Sequence, residues 1–147
     1  MSEPRVNGRV LVRIVGWSDA RTEAQRIREA VFVAEQGVPP EIELDDWDER
    51  CEHALAFDAC GRAMGTGRLL PDGHIGRMAV LRESRGQGVG GLMLEALIER
   101  ARAGGMRRVA LNAQTHAVPF YARFGFAVAG ETFMEAGIPH VAMARSL

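Results

Sequence analysis

Short runs of apolar and β-branched residues, bounded by turn formers, predict strands through the first half of the chain. The predicted strands cover residues 10–15, 53–57, 63–70 and 74–80. Gly8 and Gly16 bound the first strand, and turn signals at 58–61 and 71–73 separate the other three. Connections this short join antiparallel neighbours, so we expect a meander. A further strand is predicted at residues 109–112.

Apolar residues recur every three or four positions in two longer segments, which predicts two amphipathic helices. The first begins near Ser18 or Asp19, either of which is a good N-cap, and runs to about residue 36, where Gly-Val-Pro-Pro follows. The second covers residues 89–102, and Gly104-Gly105 gives it a C-terminal stop. Strands and helices together predict an α/β fold.

Length and composition are those of a globular domain. With 147 residues, of which 47% are hydrophobic and 25% charged, the chain is long enough to bury a core, and we expect one domain over residues 1–147. The formal net charge of -1 gives no general attraction to nucleic acid. Residues 1–8 lack the apolar core of a signal peptide, and no apolar run has the roughly 18 residues that span a bilayer. We therefore expect a cytoplasmic protein without a membrane partner.

Cysteine and histidine are sparse in this chain. Cys51 and Cys60 are expected to be free thiols, because the chain carries no export signal. No His/Cys cluster has the spacing of metal ligands, so we expect no metal cofactor.

The chemistry of the chain is concentrated in a glycine-rich segment, Arg-Gly-Gln-Gly-Val-Gly-Gly, at residues 85–91. Glycines let backbone N–H groups close on an anion, and the helix that follows adds its unpaired N-terminal donors, so the segment predicts a pyrophosphate site. Gly86, Gly88 and Gly91 also match the dinucleotide fingerprint, but they do not directly follow a strand, and the next strand ends in Asn112 rather than in an acid. A Walker-type loop is excluded because no Gly-Lys-Ser/Thr follows.

The glycine segment and its surroundings resemble the GCN5-related N-acetyltransferase (GNAT) family. Its acyl-CoA signature, Gln/Arg-x-x-Gly-x-Gly/Ala, is matched by residues 85–90. The order of elements also matches: a strand before the loop, a helix after it, a strand ending in Asn112, and a short helix carrying Tyr121 ahead of Phe-Gly-Phe. More narrowly, the chain is similar to the ElaA-like branch of the family. That similarity rests on residues 31–36, 76–77, 113–116 and 137–145.

The resemblance implies the fold and the activity. We expect an α/β (α+β) GNAT fold: one mixed, mostly antiparallel sheet of six to seven strands, with helices on both faces and a splay between the fourth and fifth strands. The implied activity is transfer of an acetyl group from acetyl-CoA, the cosubstrate, to a primary amine by direct attack in a ternary complex. The alternative is a non-catalytic acyl-CoA sensor or partner-binding module of the same fold.

The resemblance also implies where the cofactor binds. Pantetheine would bond to the backbone of the fourth strand, and the pyrophosphate to the glycine loop. The expected cofactor-binding residues are Met78, Ala79, Val80, Arg85, Gly86, Gln87, Gly88, Val89, Gly90, Asn112, Phe120 and Tyr121. The N–H of Met78 would stabilise the oxyanion. Met78 and Val80 also suit a plain core, and Asn112 also suits a structural cap for residues 115–124.

Acyl transfer to an amine needs a proton donor for the thiolate and a base for the ammonium ion. Tyr121, the only tyrosine of the chain, is the expected donor. Its alternative is an aromatic packed beside Phe120 and Phe124, with its hydroxyl on a backbone carbonyl. Glu35, His116 and His140 are all candidates for the base, and the sequence does not choose among them.

The acceptor is expected to be a small-molecule or peptide amine. Six acids could attract a cationic acceptor such as a polyamine, a basic peptide or an aminoglycoside, or form only a solvated face. They are Glu41, Glu43, Asp45, Asp46, Asp48 and Glu49. A homodimer is compatible with the sequence, although no interface stripe supports it.

Overall fold

The computed structural model of the protein describes residues 5–7 and 9–147. The strands are β1 (Arg5–Asn7), β2 (Val10–Val15), β3 (Glu52–Phe57), β4 (Ala63–Leu69), β5 (Ile75–Val80), β6 (Arg108–Gln114), β7 (Ala127–Glu135) and β8 (Ile138–Ser146). The α-helices are α1 (Trp17–Arg28), α2 (Pro40–Glu43), α3 (Val89–Ala103) and α4 (Val118–Ala122), and a π-helix, Glu29–Glu35, follows α1. Gly8, which was predicted to bound the first strand, lies outside the described residues. Residues 1–4, part of the segment predicted not to be a signal peptide, also lie outside them.

Hydrogen bonds divide the strands into two antiparallel sheets. The first has the order β1-β2-β3-β4-β5 and the second the order β6-β8-β7. Among the described residues, the sheets meet at one isolated parallel bridge, His74 to Ala110. The predicted GNAT architecture, with a splay between the predicted fourth and fifth strands, β5 and β6, is thereby confirmed. The prediction of one sheet is wrong, because β5 and β6 separate so far that hydrogen bonds leave two sheets. The described strands number eight rather than six or seven, and three of them, β1, β7 and β8, had not been located from the sequence.

One apolar core joins α3 to both sheets. Met93, Leu94 and Leu97 of α3 are fully buried, and they belong to one cluster with Val12 of the first sheet and Val109 of the second. The apolar face of α3 is the one that its three- and four-residue spacing predicts. Because α3 begins immediately after the glycine loop, this packing fixes the loop relative to both sheets.

The first predicted helix differs from the structure at both ends. It begins at Trp17 with Gly16 as its N-cap, so the predicted caps, Ser18 and Asp19, lie inside the helix. Beyond Arg28 the helix widens into the π-helix instead of continuing with α-helical turns. Hydrophobic spacing cannot separate these two helix types over seven residues, and π-turns are frequent at functional sites.

Arginine side chains form ion pairs with the acidic segment between the π-helix and β3 and hold it against the rest of the fold. Arg28 is almost fully buried; it pairs with Glu43 and donates two hydrogen bonds to Asp48, at 2.8 and 3.1 Å. Arg68 of β4 donates to Asp48 at 2.9 Å and to Asp45 at 2.6 and 2.9 Å. Hydrogen bonds from Arg68 lower the pKa of Asp45 to about 2.

A third arginine, Arg77, completes this ion network. Its Nη2 donates to Asp45 at 3.2 Å and to the backbone carbonyl of Glu43 at 3.1 Å. Three arginines thus meet three carboxylates, and the prediction of a solvated acidic face is wrong for Glu43, Asp45 and Asp48. The exposed acids of the segment are Glu41, Asp46 and Glu49. The arginines lie far away in sequence, so local charge spacing could not reveal the pairing.

Candidate active site

A cleft of about 1030 Å³ opens where the two sheets separate. Its walls are formed by the π-helix, β5, β6, α4 and the turn between β7 and β8. The predicted site residues that line it are Glu35, Met78, Ala79, Val80, Arg85, Gly90, Asn112, His116, Phe120, Tyr121 and His140. The remaining predicted residues, 86–89, follow Arg85 directly. The fold therefore brings the candidates from the N- and C-terminal halves of the chain to one cleft.

A β-bulge interrupts the β5 wall of this cleft. Arg77 and Met78 together lie opposite the single residue Gly67 of β4, and Arg77 has a φ of 50°. A bulge leaves one residue outside the hydrogen-bond ladder, which makes backbone groups available to a ligand. The side chain of Met78 packs toward β4, since a Cβ on Gly67 would lie 2.4 Å from its Sδ. The core interpretation of Met78 is therefore correct for its side chain, and a ligand role can rest only on its backbone.

The glycine loop forms a cradle before α3. Gly86 and Gly88 have φ values of 83° and 78°, which favour glycine. Among the described residues, a Cβ at either glycine would meet no atom within 4 Å, so a side chain there would fill open space. In the described structure no side chain caps the N-terminus of α3, which leaves its N–H donors available to an anion. Val89 is buried, so its predicted cofactor role can use only its backbone.

Arg85 and Glu35 form a two-pronged ion pair beside the loop. Both guanidinium-to-carboxylate distances are 2.7 Å, and Arg85 Nε also donates to the carbonyl of Val80 at 3.0 Å. The hydrogen bonds from Arg85 lower the pKa of Glu35. A carboxylate that is already paired and has a lowered pKa is a weak base. In this geometry Glu35 holds the guanidinium of Arg85, and its candidacy as the base stays a prediction.

Tyr121 lies in the cleft wall with its ring held by aromatic neighbours. It packs edge-on against Phe120 and Phe126, with ring centroids 5.1 and 6.1 Å away. None of the hydrogen bonds within the described part of the chain involves its hydroxyl, so the alternative with a carbonyl partner is not what the structure has. Burial raises the pKa of Tyr121, and the hydroxyl is protonated at neutral pH.

A polar row crosses one face of the second sheet. Asn112 and Gln114 of β6 are two positions apart, and His140 of β8 lies directly opposite Gln114. Residues paired across an antiparallel ladder share a face, so the three side chains lie on the same side of the sheet. The helical turn at Thr115–Ala117 has no side-chain cap within the described residues, so the cap interpretation of Asn112 is wrong.

Two contacts of this region were not predicted. Gln114 Nε2 donates to Gln36 Oε1 at 3.0 Å and ties the second sheet to the end of the π-helix. Glu135, at the tip of the β7–β8 hairpin, lines the cleft close to His140. The face on which His140 lies could have been found from the sequence. Apolar Val141 and Met143 are two positions apart in β8 and both are buried, so His140 lies on the opposite face of the sheet.

The family follows from comparison with known proteins. The acetyltransferase (GNAT) domain family model matches residues 21–147. The chain belongs to this GNAT family. Its GNAT relatives include an uncharacterised N-acetyltransferase, YjcF of Bacillus subtilis, which is 43% identical over 125 residues covering 82% of this chain and 89% of YjcF.

Solved GNAT-fold structures agree with this assignment. An acyl-CoA N-acyltransferase from Pseudomonas aeruginosa matches with a TM-score of 0.82 and 30% identity over 92% of this chain and 99% of that one. ElaA from Escherichia coli matches with a TM-score of 0.80 and 29% identity, also over 92% of this chain and 99% of that one. The predicted ElaA-like resemblance is thus confirmed, and the chain is an acyltransferase of a family that binds acyl-CoA.

Three further observations concern the described residues. No helix among them combines the length and apolar character needed to cross a membrane. No group of three or more His, Cys, Asp or Glu side chains among them is arranged to hold a metal ion. Cys51 is buried and Cys60 exposed, and both are free thiols, as predicted.

Proposed function

We propose that this protein transfers the acetyl group of acetyl-CoA to a primary amine by direct attack in a ternary complex. The observation that carries the proposal is the cleft between β5 and β6. It joins the glycine cradle, which suits a pyrophosphate, to the half-buried Tyr121, whose hydroxyl suits a departing thiolate. Tyr121 and the cradle lie on different elements, and α3 packs against both sheets so that their relative positions are fixed.

In this proposal the donor half of the site holds acetyl-CoA through the backbone. The N–H groups of residues 86–90 and the N-terminus of α3 bind the pyrophosphate. Pantetheine bonds to the bulged edge of β5 at Met78 and Val80 as an added strand. Arg85, held in place by Glu35, offers guanidinium donors beside the loop, and Asn112 and Phe120 contact the arm from the opposite wall.

The acceptor amine attacks the thioester carbon in its unprotonated form. A carbon–nitrogen bond forms, the carbonyl oxygen becomes an oxyanion beside the N–H of Met78, and the carbon–sulfur bond then breaks. Tyr121 gives its proton to the departing sulfur and regains one from the nitrogen of the intermediate. The products are an N-acetyl amine and free CoA thiol.

Release of CoA thiol tests this proposal. Purified protein is given acetyl-CoA and a panel of primary amines, and thiol is followed with a chromogenic reagent. We expect amine-dependent release for at least one member, and a mass increase of one acetyl group on that amine. Tight acetyl-CoA binding with no release above the solvent rate for any amine would favour the non-catalytic acyl-CoA-binding module.

The acceptor side of the cleft suits an amine that carries an apolar body. Phe32, Val38, Ile42 and Ile138 line the cleft away from the proposed pyrophosphate loop in sequence and supply apolar surface. The ion network neutralises half of the acids that were expected to attract cations, so the pull of residues 41–49 on a cationic acceptor is weaker than their number suggests. A cytoplasmic location and a homodimer stay predictions from the sequence.

A further inference from the structure

The imidazole of His140 is held in one tautomer by its own hairpin. Its Nδ1 lies 2.7 Å from the carbonyl oxygen of Ile138. A carbonyl oxygen only accepts hydrogen bonds, so Nδ1 must carry the proton in the neutral ring. Nε2 is then left with a lone pair, which is the arrangement that a proton acceptor needs.

The orientation of the ring is fixed by burial and stacking. His140 is 7% exposed, and its ring stacks on Phe133 of β7 with centroids 6.0 Å apart and an interplanar angle of 26°. The residue nevertheless lines the cleft, on the same sheet face as Gln114 and Asn112. A buried ring held on two sides, with its Nε2 in no hydrogen bond of the described structure, is pre-organised for proton transfer.

Glu135 is the carboxylate next to this ring. Its Oε2 lies 3.5 Å from His140 Nε2, and its side chain is 52% exposed. The hairpin turn enforces the arrangement: Ala136 and Gly137 have φ values of 51° and 75°, as a two-residue turn requires, and Glu135 pairs with Ile138 across it.

Other carboxylates of the cleft are already neutralised. Glu35 is paired with Arg85, and Glu43 with Arg28. Within the described part of the chain, the salt bridges of Glu135 involve no arginine, only His140. Glu135 is therefore the cleft carboxylate whose charge is open to a cationic ligand. Other titratable groups that line the cleft are Arg68, His74, Arg77, His116 and Tyr121.

We propose that His140 accepts the proton of the acceptor amine at Nε2, and that Glu135 binds the ammonium form of that amine at the mouth of the cleft. This inference rests on the proposed acetyl transfer and names its base and its amine-recognition residue. The ammonium ion gives one proton to Nε2, the resulting amine attacks the thioester, and His140 returns the proton to solvent. The imidazolium that forms in between is stabilised by the Glu135 carboxylate.

His140→Asn tests the role of Nε2 separately from that of Nδ1. The asparagine amide can still donate to the Ile138 carbonyl, but nothing replaces Nε2. We expect kcat/KM on the best amine to fall by about 10²–10⁴ at neutral pH, the usual range for a positioned base, and the acidic limb of its pH profile to disappear. Acetyl-CoA affinity by calorimetry should not change. His74→Asn, a matched change at an exposed cleft histidine paired with Asp72, should keep the parent profile.

Glu135→Gln tests recognition of the amine. We expect KM to rise about two- to fivefold at low salt with little change in kcat, and the difference to shrink as salt is added. Glu131→Gln, on the exposed part of the same strand, is the matched control and should leave KM unchanged. A loss of activity in His116→Asn with full activity in His140→Asn would overturn the proposal.

If no amine is turned over, the proposed acetyl transfer is refuted. The tautomer of His140 and the binding of an amine beside Glu135 can then still be tested by NMR spectroscopy. Long-range proton–nitrogen correlation spectra should show the neutral ring of His140 protonated at Nδ1. Added n-butylamine should shift its Nε2 resonance in the parent and much less in Glu135→Gln. A ring protonated at Nε2, or a resonance that n-butylamine leaves unchanged, would overturn the assignment whatever the activity.

Discussion

Burial raises the pKa of Tyr121, so its hydroxyl carries the proton that a donor must have at neutral pH. Tyr121→Phe removes the hydroxyl and keeps the ring contacts with Phe120 and Phe126. We expect kcat on a verified acceptor to fall by about 10²–10⁴ with acetyl-CoA affinity and melting temperature unchanged. Steady-state kinetics and calorimetry measure these effects. A parent-like kcat, with chemistry shown to be rate-limiting, would return Tyr121 to a packing role.

Single residues were predictable where a local motif demands one residue type. Gly86 and Gly88 could be singled out because only their backbone freedom suits the loop, and Tyr121 because of its place before Phe-Gly-Phe. The partner of Glu35 could not be foreseen, since Arg85 lies 50 positions away. For the same reason the sequence left the base open: the tautomer of His140 depends on a hydrogen bond that only the folded hairpin supplies.

Among the elements, the glycine loop supports the sharpest test of cofactor binding. Gly88→Leu fills the open space before α3, so we expect acetyl-CoA affinity measured by calorimetry to fall at least tenfold. The substitution also strains the backbone, because φ is 78° at this position. Gly61→Leu controls for that strain: Gly61 has a φ of 81°, open space around it, and no place in the cleft. Equal affinity in the parent and Gly88→Leu would refute the loop assignment.

The acidic segment makes stability depend on pH. The pKa of Asp45 is about 2 in the folded protein against 3.8 ordinarily, because Arg68 hydrogen-bonds to it. A depressed folded pKa stabilises the protein above pH 3.8, and this contribution, on the order of 1–2 kcal/mol, disappears as pH falls from about 4 to 2. Urea unfolding should therefore show Asp45→Asn less stable than the parent at pH 6, with the gap closing toward pH 2.

The neighbouring residue controls this experiment. Asp46 is exposed, so Asp46→Asn should change the free energy of unfolding by no more than about 0.5 kcal/mol at pH 6. A gap between Asp45→Asn and the parent that stays constant down to pH 2 would show that the ion pair with Arg68 does not govern the acid response.

Elements were predicted well where periodicity is strong, and poorly where charge pairing or backbone detail decides. β2 matches its prediction at both ends, and β4 and β5 each differ by one residue at one end. The π-helix and the β5 bulge were missed, because neither alters the pattern of apolar residues. The ion network was missed because its arginines come from α1, β4 and β5, which meet only in the folded protein.

At the scale of the whole molecule, binding of the cosubstrate should stabilise the folded protein. A ligand that bonds to β5 and to the loop before α3 stabilises the folded state alone, by about 2.7 kcal/mol at a concentration of 100 Kd. For a chain of 147 residues this corresponds to a rise in melting temperature of roughly 5–10 °C. Thermal unfolding with and without acetyl-CoA measures it, and an unchanged melting temperature at saturation would contradict binding in the cleft.

The division into two sheets also bears on how the protein behaves in the test tube. β5 and β6 are terminal strands of their sheets, and they face each other across the cleft; within the described residues the sheets are joined by one isolated bridge, between His74 just before β5 and Ala110 of β6. An open strand edge is a template on which another chain can pair. If the cosubstrate binds along β5 as proposed, it covers this edge, so protein kept with CoA should aggregate more slowly than protein kept without it.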